Sequence, residues 1–110
     1  MDGVKRGDVV LIVAQADFGK PRPAVVVQSD LFNDTHASIG VCPISSTIVD
    51  APMFRIAIPP TAGNGLKKSS QVMVDKVQPL KRERVKDRIG ELTGEEMQSV
   101  GVALRLWLNL

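Results

Sequence analysis

Cysteine and histidine occur once each in this 110-residue chain, and tyrosine does not occur at all. A lone Cys42 excludes an internal disulfide framework and any cysteine-based zinc cluster, and it reads as a small core residue of a reducing compartment. His36 sits in the polar stretch Phe32-Asn33-Asp34-Thr35-His36-Ala37 with no nucleophile or acid beside it, so it reads as an exposed loop histidine. The carboxylates Asp8, Asp17, Asp30, Asp34, Asp50 and Asp75 are scattered without ligand spacing, and there is no glycine-rich phosphate loop. The expectation is therefore no metal and no cofactor. No apolar run approaches the roughly 20 residues needed to span a bilayer, and no apolar signal region follows Met1 to Arg6, so a cytoplasmic location away from membranes is expected.

Charge is balanced as well. Fourteen Lys and Arg against 12 Asp and Glu leave +2, too little to announce a nucleic-acid binder. Basic residues do gather, in Lys67-Lys68 and in Lys81-Arg82, Arg84, Lys86 and Arg88. Such runs are commonly solvated faces, so they permit nucleic-acid binding without requiring it.

What the chain does have is a succession of short β-branched runs. At this length a single domain, residues 1–110, is expected. Asp8 to Ala14 and Ala24 to Gln28 are nearly unbroken apolar runs, as in strands covered on both faces. Between them, Pro21 and Pro23 flank Arg22, forbid a helix and hold the backbone extended, which mounts Arg22 at a loop–strand junction with limited freedom. Ser38 to Ile44 reads as a third strand ending in the hydroxyls Ser45-Ser46-Thr47, and Phe54 to Ile58 as a fourth stopped by Pro59-Pro60. Asn64-Gly65 supplies residues that tolerate positive φ for a tight reversal. Gln71 to Lys76, then Val77 to Leu80 after a kink, and Ile89 to Leu92 at an edge complete the strands.

Thr93-Gly94-Glu95-Glu96 has capping-box spacing and starts a helix. Its stripe of Met97, Val100, Leu104, Trp107 and Leu108 reads as core, while Val102 and Leu106 fall in the polar arc and hint at a second packed surface. With no βαβ alternation, the fold class is mainly β (α+β), a twisted antiparallel sheet or small open barrel with a C-terminal helix.

Any catalysis must then rest on arginine, hydroxyls, backbone amides and an acid. That inventory suits phosphodiester cleavage by a neighbouring 2′-hydroxyl, because RNA carries its own nucleophile and the protein need only align it and stabilise charge. Read alone, Ser45-Ser46-Thr47 is also a plain turn, and Arg22 is also a surface ion pair with Asp17 or Asp30.

Four segments carry a resemblance: Lys5-Arg6-Gly7-Asp8-Val9; Gly19-Lys20-Pro21-Arg22-Pro23 running on to Asp30; Pro43-Ile44-Ser45-Ser46; and Gly65-Leu66-Lys67-Lys68-Ser69-Ser70 before Val72-Met73-Val74-Asp75. In order and extent they are similar to the MazF/PemK toxins. The resemblance implies an SH3-like barrel, a homodimer, cleavage of single-stranded messenger RNA at short sequences, and a cognate antitoxin protein that binds the same grooves. It makes Arg22 catalytic, with Ser45, where many relatives carry threonine, and Ser46 as hydroxyl partners. Lys20, Phe18, Thr47, Lys67, Lys68 and Asp75 are the corresponding RNA-binding candidates, Phe18 for base stacking. The chain departs from the family in a shorter loop before Arg22, without the Gly-Ser-Glu-Gln-like stretch, and in Met73, where some members have an arginine. Two alternatives stand beside this: a gyrase poison resembling CcdB, whose Trp-Gly-Ile ending is here Trp107-Leu108-Asn109-Leu110, and a non-catalytic RNA- or protein-binding barrel.

Overall fold

The structure is a computed structural model that describes residues 3–14 and 19–110. Seven strands form one antiparallel sheet: β1 (Asp8–Ile12), β2 (Arg22–Val26), β3 (Ser38–Ser45), β4 (Arg55–Ile58), β5 (Ser70–Met73), β6 (Gln78–Lys81) and β7 (Val85–Glu91). The order is β4-β5-β3-β2-β1-β7, and β6 pairs with the first half of β3 while β5 pairs with its last residues. The sheet curls but stays open, with β4 and β7 at its ends.

The apolar runs are continuous because both faces of the central strands are covered. Side chains alternate across a strand, and here each parity feeds a different core. Val9, Val25, Cys42 and Ile44 join Ile58, Val72, Val100 and Ala103 under the C-terminal helix, whereas Val10, Ala24, Val26, Ile39 and Val41 meet Leu80 and Val85 where the sheet folds over itself. Cys42 is fully buried, and that burial pushes its thiol up to about 12.

Several elements differ from the sequence reading. A single helical turn, α1 (Asp30–Asn33), capped by the Ser29 hydroxyl, occupies part of the expected loop; at four residues it is too short to leave a periodic signal. The expected strand Gln71 to Lys76 breaks at Met73 into a 3-10 turn, and β7 begins four residues before Ile89, taking in part of the basic segment. At Asn64-Gly65 only Gly65 has positive φ (71°), while Asn64 is buried and brackets the turn with its amide. Asn64 Oδ1 accepts from the Thr61 and Leu66 amides at 3.0 and 2.9 Å, and its Nδ2 donates to the Pro59 carbonyl at 2.8 Å.

The helix α2 (Gly94–Leu108) starts as expected, with Thr93 and Glu96 capping reciprocally at 2.9 and 3.1 Å. The apolar stripe is corrected: Val100 and Ala103 are the buried residues, Met97 and Leu104 pack beside them, and Trp107 and Leu108 remain 48% and 50% exposed. Near the C-terminus the Trp107 ring lies against Phe54, centroids 5.5 Å apart. Val102 and Leu106 are exposed and border a shallow apolar groove with Pro52, Met53 and Ile56.

One ion pair ties the far end of the sheet together. Arg55 on β4 holds Asp75 in the 3-10 turn bidentately, at 2.7 and 3.1 Å, with both side chains 14% exposed. The Arg55 guanidinium keeps the Asp75 carboxyl below its usual 3.8, against the opposing effect of burial. A carboxylate depressed on folding stabilises the native state above its unfolded pKa, and that stability drains away as pH falls through the folded value.

Two outcomes follow for stability. A Cβ on Gly90 would lie 2.4 Å from the Gly63 carbonyl oxygen and 2.5 Å from the Asn64 carbonyl carbon, both backbone, whereas one on Gly94 meets nothing within 4 Å. Gly90→Ala should therefore cost on the order of 3 kcal/mol, while Gly94→Ala should be neutral or gain about 0.5 kcal/mol; urea denaturation measures both. In the same assay, Asp75→Asn should be less stable than the parent at neutral pH and converge towards it below about pH 4 as the parent's carboxylate protonates. A constant gap down to about pH 2 would show that Asp75 is not the titrating group.

Candidate functional site

The pairing of β2 with β3 aligns Ala24 with Pro43, Val25 with Cys42 and Val26 with Val41. Continued by two residues, that register brings Arg22 level with Ser45, the last residue of β3. Directly opposed residues of an antiparallel pair share a face, with Cβ atoms about 5 Å apart. Arg22 is also paired with Ile12 on its other side, so the guanidinium stem is flanked by two strands at the point where β2 begins. The prolines around Arg22 fit the start of a strand, since Pro23 fixes its own φ and holds the preceding Arg22 extended.

Ser45 ends β3 in a hydroxyl turn: its Oγ accepts from the Thr47 amide at 3.1 Å. A hydroxyl that accepts still has its proton to donate. The segment beyond is fastened by Gln71, whose side-chain amide both accepts from and donates to the Val49 backbone at 3.1 and 2.8 Å. Gln71 is the β5 residue paired with Ser45, so the strand end and the loop after it are positioned from one place.

Arg22, Ser45, Ser46, Thr47, Lys67 and Lys68 all line one groove of about 620 Å³. Its floor is apolar, from Ile12, Pro23, Pro43, Ile44, Leu66 and Met73. The described lining carries four cations, Arg22, Lys67, Lys68 and Lys76, and no carboxylate. Half-enclosed surfaces of one sign concentrate opposite charge well beyond what a net +2 would suggest.

Two expected residues stand elsewhere. Lys20 is exposed two residues before Arg22 but does not line the groove. Asp75 also lies outside the lining, its carboxylate engaged by Arg55. Phe18 lies outside the described residues, as does Asp17, and Asp30 accepts from the Arg6 amide and from Asn33 at 2.8 and 2.9 Å. His36 is exposed, its Nδ1 accepting from the Ser38 amide at 3.0 Å.

Much of the basic segment proves structural. Arg82 donates to the Asn33 and His36 carbonyls, Arg84 to the Val13 carbonyl, and Arg88 binds Asp8 at 3.0 Å and Glu91 at 3.3 Å. Among the described residues no group of three His, Cys, Asp or Glu side chains gathers as a metal cluster. Groove residues that sequence reading missed are Ser70, Met73, Lys76 and Gln78. Their approach to Arg22 depends on β3 pairing with both β5 and β6, which no local pattern encodes.

Comparison with known proteins agrees over nearly the whole length. The profile of the PemK-like, MazF-like toxins of type II toxin-antitoxin systems matches residues 5–108. The probable endoribonuclease MazF of Mycolicibacterium smegmatis is 37% identical over 108 residues, 97% of this chain and 98% of that protein. Endoribonuclease EndoA of Bacillus subtilis is 28% identical over 111 residues, 97% and 96% of the two chains. A mycobacterial endoribonuclease solved with its cognate antitoxin superposes with a TM-score of 0.82 at 21% identity, over 97% of this chain and 96% of its own. A Deinococcus radiodurans MazE–MazF structure gives the same score and identity over 100% of both chains. The architecture is thus shared with solved MazF toxins, and the chain belongs to the PemK-like, MazF-like toxin family of type II toxin-antitoxin systems.

Proposed function

We propose that this chain is the toxin of a type II toxin-antitoxin pair: a sequence-specific, metal-independent endoribonuclease that cuts single-stranded messenger RNA. The observation that carries the reading is that Arg22 and Ser45 line one groove, whose described lining has four cations and no carboxylate. The substrate 2′-oxygen bonds to phosphorus while the bond from phosphorus to the 5′-oxygen breaks, leaving a 2′,3′-cyclic phosphate and a 5′-hydroxyl. Arg22 binds the non-bridging oxygens through its guanidinium fork, and its hold strengthens as negative charge builds there. Ser45, with Ser46 beside it, donates to the same phosphate and keeps the attacking oxygen, phosphorus and leaving oxygen in line. A guanidinium stays protonated, so protons leave the 2′-hydroxyl and reach the 5′-oxygen through water.

Lys67, Lys68 and Lys76 hold the flanking backbone of an unstacked strand. An acidic antitoxin segment that folds on binding would compete for the same charges, and in this reading inhibition is simple exclusion of RNA. The active form is a homodimer, as the family resemblance implies.

The purified protein, incubated with a long single-stranded RNA in excess chelator, should make discrete cuts ending in cyclic phosphate. Arg22→Ala should slow them by roughly a hundredfold or more, and Ser45→Ala by about tenfold, while Ser45→Thr should stay close to the parent. Intact RNA under every condition would sink the nuclease reading, and cuts abolished by chelation would sink the mechanism.

A further inference from the structure

The described lining of the groove contains one neutral carboxamide, Gln78, and its position separates it from the phosphate grip. Gln78 starts β6 level with Val41, four residues before Ser45 on the same strand, a separation of about 13 Å along β3. Residues 41, 43 and 45 of β3 alternate onto one face, and Gln78 shares it, so its side chain opens into the groove that Arg22 and Ser45 line. By that span Gln78 is set apart from the Ser45 hydroxyl along the groove. It is placed beside a neighbouring nucleotide.

The amide itself is only lightly committed. Gln78 Nε2 donates to the Lys76 carbonyl at 3.3 Å, a long bond, and among the described residues nothing donates to its Oε1. One N–H and one carbonyl oxygen are thus available side by side, half-buried at the groove wall. Every other polar side chain in the described lining is a hydroxyl or a cation. Hydroxyls discriminate poorly and ammonium groups only donate, so neither type presents a fixed donor-acceptor pair. The apolar groups of Pro43 and Met73, in the same lining, give a flat base something to lie against.

We infer that Gln78 is a specificity-determining residue, reading the edge of one nucleobase flanking the cut, with adenine as its preferred base. A carboxamide matches the adjacent amino group and ring nitrogen of adenine with two hydrogen bonds. This inference rests on the nuclease reading for its substrate, yet recognition can be measured without cleavage.

The experiment uses two readouts on the full chain. Cuts are mapped on native RNA, and bound sequences are recovered from a random single-stranded RNA library bearing 2′-fluoro groups, which removes the attacking hydroxyl. The parent should favour adenine at one fixed position in both. Gln78→Ala should reduce that preference about tenfold, and Gln78→Glu, which only accepts, should move it towards cytosine, whose amino group a carboxylate takes. Folding of both variants is checked by thermal melting, and the conservative glutamate change keeps the side chain's size. Unchanged base preference in both variants, with Arg22-dependent cutting intact, would overturn the role of Gln78 and leave the nuclease reading standing. A Gln78-dependent preference in the fluorinated library without cutting of native RNA would keep the recognition role and overturn the nuclease.

Discussion

The register between β2 and β3 is the constraint on which the site depends. It brings Arg22 level with Ser45 because Ala24, Val25 and Val26 are seated against Pro43, Cys42 and Val41. A slip of one residue would turn every side chain to the opposite face. Here that would expel Val26 from one core and Val25 from the other in the same movement, since both are fully buried in different clusters. The relative placement of β2 and β3 is thereby protected by the packing of two cores. This is an inexpensive way to aim a long, mobile side chain.

The same alternation explains why a polar groove exists at all. Along one face of β1, β2 and β3 the apolar series Val10 and Ile12, Ala24 and Val26, Ile39 and Val41 fills the space where the sheet folds over. That series stops at Ile12, Arg22 and Ser45, and the groove opens where it stops. Arginines elsewhere are spent on holding the frame: Arg82 gathers the turn after α1 and Arg84 fastens the end of β1. Arg55 closes the opposite end on Asp75. On the proposed reading, the four cations of the described lining are what a polyanion would meet.

Local signals in the sequence reveal some of this and not the rest. Two prolines around one arginine, and a strand ending in hydroxyls, mark Arg22 and Ser45 before any fold is known, because both are consequences of nearest neighbours. The capping box at Thr93 is legible for the same reason. Asp75 looks like a substrate contact in the linear order, and only the pairing of Arg55 with Met73 across β4 and β5 brings in the cation that occupies it. Trp107 continues a helical stripe faultlessly, yet the stripe says nothing of where the sheet beneath it ends. Gln78 is invisible for a related reason: its distance from Arg22 is set by β3 pairing with β6 on one half and β5 on the other.

The composition of the groove also bears on which nucleic acid can be cut. A protein nucleophile needs a base beside it or a lowered pKa. Cys42 is buried with its thiol held near 12, and Ser45 is committed to the Thr47 amide in a groove whose described lining has neither carboxylate nor histidine. Neither is equipped to attack phosphorus. On the proposed reading, the groove grips a phosphate, orients it and absorbs the charge that develops on it. A substrate suited to such a site must bring its own attacking oxygen, and RNA does so at every linkage while DNA does so at none. On the proposed reading, discrimination between the two is achieved by the attacking oxygen that RNA carries, and base recognition along the groove then decides which linkage is held long enough to react.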